Sequence, residues 1–332
     1  MCDASVALRW APKLILAAAC TVQPLHAATV DAAKSYPSKP IRFIVNSLAG
    51  GGSDITARAI AQKLTEAWGR QVIVDNRPGA SGAIAVEFTA KAVPDGYTIC
   101  LIASSQILNP ALNPRISDDF TRDIAAISQA STQFFVIYHN PSLPVKSVKE
   151  LIAQARAQPG KLNYGTAGNA SIHHLAWELF NHMTGAKLVH VPYKGGAAVV
   201  VAALSGDVQF GMGSLITLRP HLSSGRLRAL ATTAKTRSPA MPELPTVAEA
   251  GVPGYEAHQW YGVVTAANVP VAIIGKLNAG IVQSLKSPEV VQRLTTDGST
   301  PVGSSPGEFG VFIKSEITKW RKLVKDAGLV LH

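Results

Sequence analysis

The chain has 332 residues, a formal net charge of +10 and three cysteines. The excess of lysine and arginine is spread along the sequence, a dispersed field that suits small anionic ligands and disfavours nucleic acid as a partner. Cys2 and Cys20 fall in the first 27 residues, so a chain shortened there keeps only Cys100 and has no internal disulfide.

Arg9 and Lys13 precede a short apolar run, Leu14 to Val22, followed by small residues, with Leu25, His26 and Ala27 at a plausible cleavage point. That order predicts a secretory signal over residues 1–27 and a periplasmic product. The run is too short to anchor the chain, since a bilayer needs about 20 apolar residues. A rival reading makes Cys20, after three alanines, a lipid-attachment site, although the expected bulky aliphatic residue three positions upstream is missing. Removing the leader leaves about 300 residues, enough for two lobes at a prior of about 150 each.

Beyond Tyr36 short β-branched runs alternate with amphipathic segments. The strand Ile41 to Asn46 leads through glycines into a helix on which Ile60, Leu64 and Ala67 recur at helical spacing, ended by Gly69. Strand Gln71 to Asp75, a turn at Pro78, Gly79 and Gly82, a helix through Ala92 and strand Thr98 to Ala103 extend the β-α-β pattern. A strand over Phe134 to Tyr138 precedes Pro141 and Pro144, expected to mark passage into a second lobe. There the alternation restarts, with strands at Leu162 to Tyr164, Leu188 to Val191, Val208 to Gly211 and Leu227 to Thr233. Its helices are expected at Ser147 to Ala157, Ser171 to Met183 and Ala197 to Leu204. Pro239 to Tyr255 reads as the return linker, Tyr261 to Thr265 as a strand rejoining the first sheet, and Ile273 to Leu285 and Gly307 to Ala327 as closing helices. The expected fold is α/β and two-lobed, each lobe a mainly parallel sheet flanked by helices. Lobe 1 takes residues 36–139 and 256–332, lobe 2 takes 140–255, and two crossing strands make a hinge.

Ligands of open α/β sheets sit outside the carboxyl ends of the strands. The first corner there is SLAGGGSD, Ser47 to Asp54, where glycines let backbone N–H groups approach a ligand and Ser53 or Asp54 can cap the helix. The second, YGTAGNASIHH, offers Thr166, Gly168, Asn169 and Ser171 as donors. A third, ASSQILNP, holds Ser104, Ser105 and Gln106. Two anion-friendly helix starts, one per lobe, could grip opposite ends of a dicarboxylate.

Competing chemistries lack their motifs. No Lys-Ser/Thr pair follows the glycines and Ile55 stands where a third Rossmann glycine would be, so no nucleotide cofactor is expected. His174, Glu178 and His182 repeat at spacing four, but the outer two lie about 12 Å apart at ~1.5 Å per residue, too far to share a metal; a solvated helix face is expected instead. No G-x-S-x-G elbow marks a hydrolase. Trp260 and Tyr261 fit either a ligand's apolar part or the core.

Read together, YPSKPIRFIV, the glycine corner, VIVDNRPGASG, PDGYTI, SVKELI, KLNYGTAGNASIHHLAWELF, VHVPYKGG, LSGDVQFG, GRLRALATT, LPTVAEAGVPGYE and the segment around Lys319 and Trp320 resemble the receptors of tripartite tricarboxylate transporters, the Bug family. The resemblance implies a type II periplasmic-binding-protein fold, a Venus flytrap that holds di- or tricarboxylates, amino acids or aromatic acids. Carried over by position, the ligand-binding residues are Ser47, Gly51, Gly52, Ser53 and Asp54 in lobe 1, to which the third corner adds Ser104 and Ser105 as candidates on their own chemistry. In lobe 2 they are Thr166, Ala167, Gly168, Asn169, Ala170, Ser171 and His174, with Tyr193 and Lys194; Ser214, where the chain departs from the family, is a further candidate. The chain departs from the family at Ser47, Leu48 and Ala49, where an aromatic-proline pair is common, and at Gly213 and Ser214, where an acid followed by Asn is common. The lost acid favours a plain or aromatic acid over an amino acid. The expectation is an exported, monomeric solute-binding receptor, no enzyme, that serves a tripartite tricarboxylate-type permease or a sensor protein. The alternative is an exported enzyme acting on small organic acids.

Overall fold

The computed structural model describes residues 34–79, 82–106, 120–296 and 298–328. The expected leader, with Cys2 and Cys20, and the Asn-Pro end of the third corner lie outside them.

Strand β1 (Ile41–Val45) is parallel to β2 (Val72–Asn76) on one side and to β3 (Thr98–Ala103) on the other, Arg42 pairing with Ile73 and Thr98. Ile41, Phe43, Ile44 and Val45 are fully buried, as expected of a central parallel strand covered on both faces. The crossovers are helices α1 (Gly52–Trp68) and α2 (Ala83–Ala90). Helix α1 buries Ala57, Ile60 and Leu64 and stops at Gly69, whose left-handed φ of 61° lets its N–H close on Thr65 O at 3.0 Å.

The chain continues through α3 (Phe120–Asp123) and the long strand β4 (Ile124–Phe134) into β5 (Val136–His139), α4 (Val148–Ala157), β6 (Asn163–Thr166), α5 (Ile172–Thr184) and β7 (Val189–Pro192). After α6 (Gly196–Ser205), β8 (Phe210–Gly213), α7 (Leu215–Ser223) and β9 (Arg228–Thr232), it returns as β10 (His258–Ala266). It ends in α8 (Val271–Leu285), α9 (Pro288–Thr296), β11 (Ser299–Pro301) and α10 (Pro306–Asp326).

The strands form a six-stranded sheet, β11-β4-β10-β3-β1-β2, and a five-stranded sheet, β7-β6-β8-β5-β9. Both are mixed. β4, β10 and β11 enter the first sheet antiparallel to their neighbours, and β5 pairs antiparallel with β8 and β9 in the second. The cause is the interrupted connectivity: strands that carry the chain out of one sheet and into the other need no helical crossover and can run against their neighbours.

The expected strand Phe134 to Tyr138 is divided. β4 ends at Phe134 in the first sheet and β5 begins at Val136 in the second, so passage between sheets occurs at Phe135 and not at Pro141. The outgoing and returning chains meet there: Phe135 N–H donates to Thr233 Oγ1 and Thr233 N–H to Phe135 O, each at 2.9 Å, while Ala257 N–H reaches Thr233 O at 3.1 Å.

Helix α10 belongs to both cores. A capping box of Ser305 and Glu308 starts it. Phe309 and Ile313 pack with Ile44, Ile102 and Val264 of the first sheet, whereas Trp320 and Leu323 pack with Phe135, Tyr255 and Trp177 of the second lobe's core. Between them the buried carboxylate of Glu316 accepts the indole N–H of Trp260 at 3.3 Å and of Trp320 at 3.0 Å.

Candidate functional site

Strand register decides where the corners lie. Ala103, the last residue of β3, pairs with Tyr261 near the start of β10, and Phe134, the last residue of β4, pairs with His258. In the other sheet Gly213, the last residue of β8, pairs with Val136 at the start of β5. The carboxyl ends of both parallel sets therefore lie on the side of the crossings, so the corners of both sheets open toward the crevice between them.

In the first lobe these corners enclose a cavity of about 360 Å³. Asn46, Ser47, Gly52 and Ser53 line it from the β1–α1 corner, Gly79 and Gly82 from the β2–α2 corner. Ala103, Ser105 and Gln106 follow β3, and Gln259 and Tyr261 come from β10. The described lining holds no carboxylate, imidazole or ammonium group. Just before the lining residue Gly52, Gly51 is the N-cap of α1 and uses no side chain to cap the helix. Ile55 N–H makes the first helical bond, to Gly51 O at 2.9 Å, and the amides of Gly52, Ser53 and Asp54 donate to no acceptor among the described residues. With the positive end of the helix dipole, these form an anion-receptive helix start.

Asp54 has a different place from the one expected. It is 2% exposed, and its carboxylate accepts Gly50 N–H, Arg58 Nε and Asn76 Nδ2, each at 2.9 Å. Burial opposes its ionisation, but the hydrogen bonds from Arg58, Gly50 and Asn76 outweigh it and hold the carboxyl below its usual range. Asp54 thus braces the corner from behind. Ser53 Oγ donates to Ser47 Oγ at 2.7 Å, which donates to Leu48 O at 3.1 Å, a chain that orients the two hydroxyls of the lining.

Ser104 is turned away, donating to Gln259 Oε1 at 2.8 Å, while Ser105 remains on the cavity wall. Gln106 organises that wall: its Oε1 accepts Ala103 N–H at 2.6 Å and Asn46 Nδ2 at 2.8 Å, and its Nε2 donates to Ser105 Oγ at 2.9 Å. A side chain at Gly82, whose φ is 90°, would collide with the Gln106 amide. Sequence reading singles out neither Asn46 nor Gln259, and no local motif marks them. Trp260 is fully buried in the core, and its neighbour Tyr261 lines the cavity, dividing by strand alternation the two roles left open for the pair.

The second corner joins β6 to α5. Ser171 caps α5 by accepting His174 N–H at 3.2 Å. Several of its expected donors are already engaged: Gly168 N–H with Thr166 Oγ1, Ala170 N–H with His174 Nδ1 and Ser171 N–H with Gly168 O, each at 3.3 Å. The amides of Ala167 and Asn169 donate to no acceptor among the described residues. Thr166 is buried, Tyr193 is half-buried and bonded through its N–H to Thr166 O at 2.9 Å, and Lys194 is exposed just beyond β7. Ser214 caps α7 at the end of β8, its Oγ 2.8 Å from Thr217 Oγ1. None of these second-lobe residues lines the first-lobe cavity.

The expected solvated face of α5 is not one. His174 is 5% exposed with its ring stacked on that of His190, and Glu178 accepts the hydroxyl of Tyr164; only His182 is exposed. Burial first, and the neighbouring His190 second, push the His174 imidazole down to about 4.

With both corners in place, the sequence pattern of the tripartite tricarboxylate transporter family receptor matches residues 56–329. The chain belongs to this receptor family. Protein BugT of Bordetella pertussis is 37% identical over 301 residues, 90% of this chain and 92% of that one. Among solved structures, Rpa4515 of R. palustris with adipate is 35% identical at a TM-score of 0.75, covering 88% of this chain and 98% of that one. MatC of Rhodopseudomonas palustris with bound malate is 26% identical at 0.72, covering 87% and 100%. The periplasmic binding protein BugD is 28% identical at 0.71, covering 88% and 99%. These receptor-family likenesses extend over both lobes, so the two sheets and the crossing between them are family architecture.

Proposed function

We propose that this family member is an exported, periplasmic solute-binding receptor that captures a small aliphatic dicarboxylate by closing its lobes. One carboxylate would dock on the free amides of Gly52 and Ser53 with the hydroxyls of Ser47, Ser53 and Ser105; the other would meet Ala167, Asn169 and the Tyr193–Lys194 and Ser214 ends of the second lobe. Residues 1–27 would act as the export signal, and the loaded monomer would deliver its ligand to a membrane permease of the tripartite tricarboxylate type or to a sensor.

The observation that carries this reading is a helix start with three unpaired amides opening on a cavity of neutral polar side chains. Such a cradle recognises a carboxylate through preformed dipoles, and its described lining has no carboxylate, imidazole or ammonium group, which supports binding over catalysis. Adipate on a relative of 35% identity and malate on one of 26% favour linear dicarboxylates over aromatic acids. Calorimetric titration with adipate, malate, a tricarboxylate, an aromatic acid and an amino acid tests the reading. Micromolar binding of a dicarboxylate is expected; silence across the panel at millimolar concentration overturns it.

A further inference from the structure

Four rings stand in a column under the second corner. His174 and His190 are 3.8 Å apart and 12° from parallel, His190 and Tyr164 are 5.3 Å apart, and Tyr164 and Trp177 are 5.2 Å apart. Each histidine also holds the corner's backbone. His174 Nδ1 accepts the N–H of Ala170, a non-glycine residue in the left-handed region at φ 60°. His190 Nε2 lies 2.6 Å from Thr166 Oγ1, and that hydroxyl reaches both the carbonyl of Gly168 at 3.1 Å and its amide at 3.3 Å.

Protonation of His174 would undo both of its functions together, while His190, which donates Nε2–H to the Thr166 hydroxyl, would keep that bond and lose only the stack. An Nδ1 that accepts an amide proton carries none of its own, so the neutral His174 ring is protonated on Nε2 and a second proton must go to Nδ1. The Ala170 amide then faces a donor. A proton on His190 as well sets two imidazolium faces against each other at stacking distance, with like charges in a partly buried place. The groups around the pair offer little relief. From α5 come His173, tilted against the Phe135 ring with centroids 4.3 Å apart, and Glu178, which already accepts from the Tyr164 hydroxyl and from Asn181 Nδ2 at 3.4 Å. From β6 comes Tyr164 itself, from β7 only His190, and from the corner the neutral Thr166, Asn169 and Ser171.

We propose that His174 and His190 form a proton-operated catch: neutral rings hold Thr166–Ser171 in the shape that grips ligand, and acid releases it, so the receptor sheds ligand as pH falls. The step from corner to ligand release rests on the function proposed above; the catch itself does not. Here the histidines are positioning residues, acting through the backbone they hold.

Two measurements separate these layers. In ligand-free protein, nitrogen-resolved NMR follows the two imidazoles between pH 8 and pH 4 while amide exchange is read at residues 167–171. In parallel, adipate is titrated calorimetrically at pH 7.5 and pH 4 into the wild type, His190→Gln, and the double variant His174→Asn with His190→Gln. Asn places an amide oxygen where Nδ1 accepts, Gln places an amide where Nε2 lies, and neither titrates.

The wild type is expected to lose affinity between the two pH values by at least about twofold more than the double variant, which shares the titration of adipate itself. His190→Gln alone, which removes the charge on one ring, is expected to fall between them. Corner amides are expected to exchange faster, relative to the variants, at the pH where the rings protonate. Equal acid losses in all three proteins, or protonation with no added exchange at the corner, would overturn the proposal. Failure of adipate to bind at any pH counts against the ligand class, and the ring and exchange readings then decide the catch alone.

Discussion

Phe135 and Thr233 bind the two crossings of the chain to each other through reciprocal hydrogen bonds of 2.9 Å, main chain to main chain in one direction and main chain to hydroxyl in the other. Both residues are buried, and the ring of His173 of α5 packs at a tilt against that of Phe135. The passage between the sheets is thus a clasped pair of chain segments. Thr233→Val keeps the shape and strands the Phe135 amide without an acceptor. A loss of about 1–3 kcal/mol in urea denaturation is expected, with a change in ligand affinity because the crossing no longer holds one register.

The free amides at the start of α1 can be tested one at a time. Gly52 occupies the first helical position, where proline is tolerated, and Gly51 before it sits at φ −74° and ψ 163°, a conformation that a following proline permits. Gly52→Pro therefore deletes one N–H with little disturbance of the helix. Stability within about 0.5 kcal/mol of wild type is expected, with dicarboxylate affinity about 10-fold or more weaker, the worth of one hydrogen bond to a charged group. Unchanged affinity by calorimetry would remove this helix start from the site.

Asp54→Ala probes the brace behind the same corner. It abandons Gly50 N–H, Asn76 and Arg58 at once, and a loss of about 2–4 kcal/mol is expected, moderated because Arg58 is half-exposed and can be rehydrated. Since the Asp54 carboxyl is held below its usual range, its contribution is complete above the unfolded value near 4 and disappears only as pH falls through the lower folded value. A wild-type loss of stability at strongly acid pH that is absent in Asp54→Ala is the expected signature.

Histidines set a separate and milder acid limb. Burial pushes His173 and His174 down to about 4, against about 6.5 in an unfolded chain. The unfolded chain takes up protons first, so their contribution is complete above about pH 6.5 and declines as pH falls toward 4. Thermal unfolding midpoints measured from pH 8 to pH 4 should begin to fall near neutrality, well before Asp54 titrates.

Glu316 is a buried acceptor shared by two indoles. Glu316→Ala leaves the Trp260 and Trp320 N–H groups unpaired inside the protein, for an expected loss of about 2–5 kcal/mol. Glu316→Gln, which keeps an acceptor oxygen, should lose less than half of that. Denaturation followed by tryptophan fluorescence reads both variants.

Much of this molecule is legible in its sequence where local chemistry and tertiary role agree. The β1–α1 corner announces itself through consecutive glycines and a capping-type Ser-Asp pair, and the α1 stripe through its spacing. β4 is hidden because IAAISQASTQF carries few β-branched residues; its strand character comes from pairing along its whole length with β10, a partner remote in sequence. The stack of His190 on His174 is hidden for the same reason, since β7 and α5 meet only through the sheet. Asp54 and Ser104 lie in the expected corners but face away from the cavity, because hydrogen-bond partners on β2 and β10 claim their side chains, and no spacing rule reports that.

Helix α10 has one further consequence. Its first turns complete the interior of one half of the protein and its last turns the interior of the other, so each half remains unfinished until the latest part of the polypeptide is present. The same dependence ties the halves into a single cooperative unit, and scanning calorimetry should record one heat-absorption peak where two separable bodies would give two.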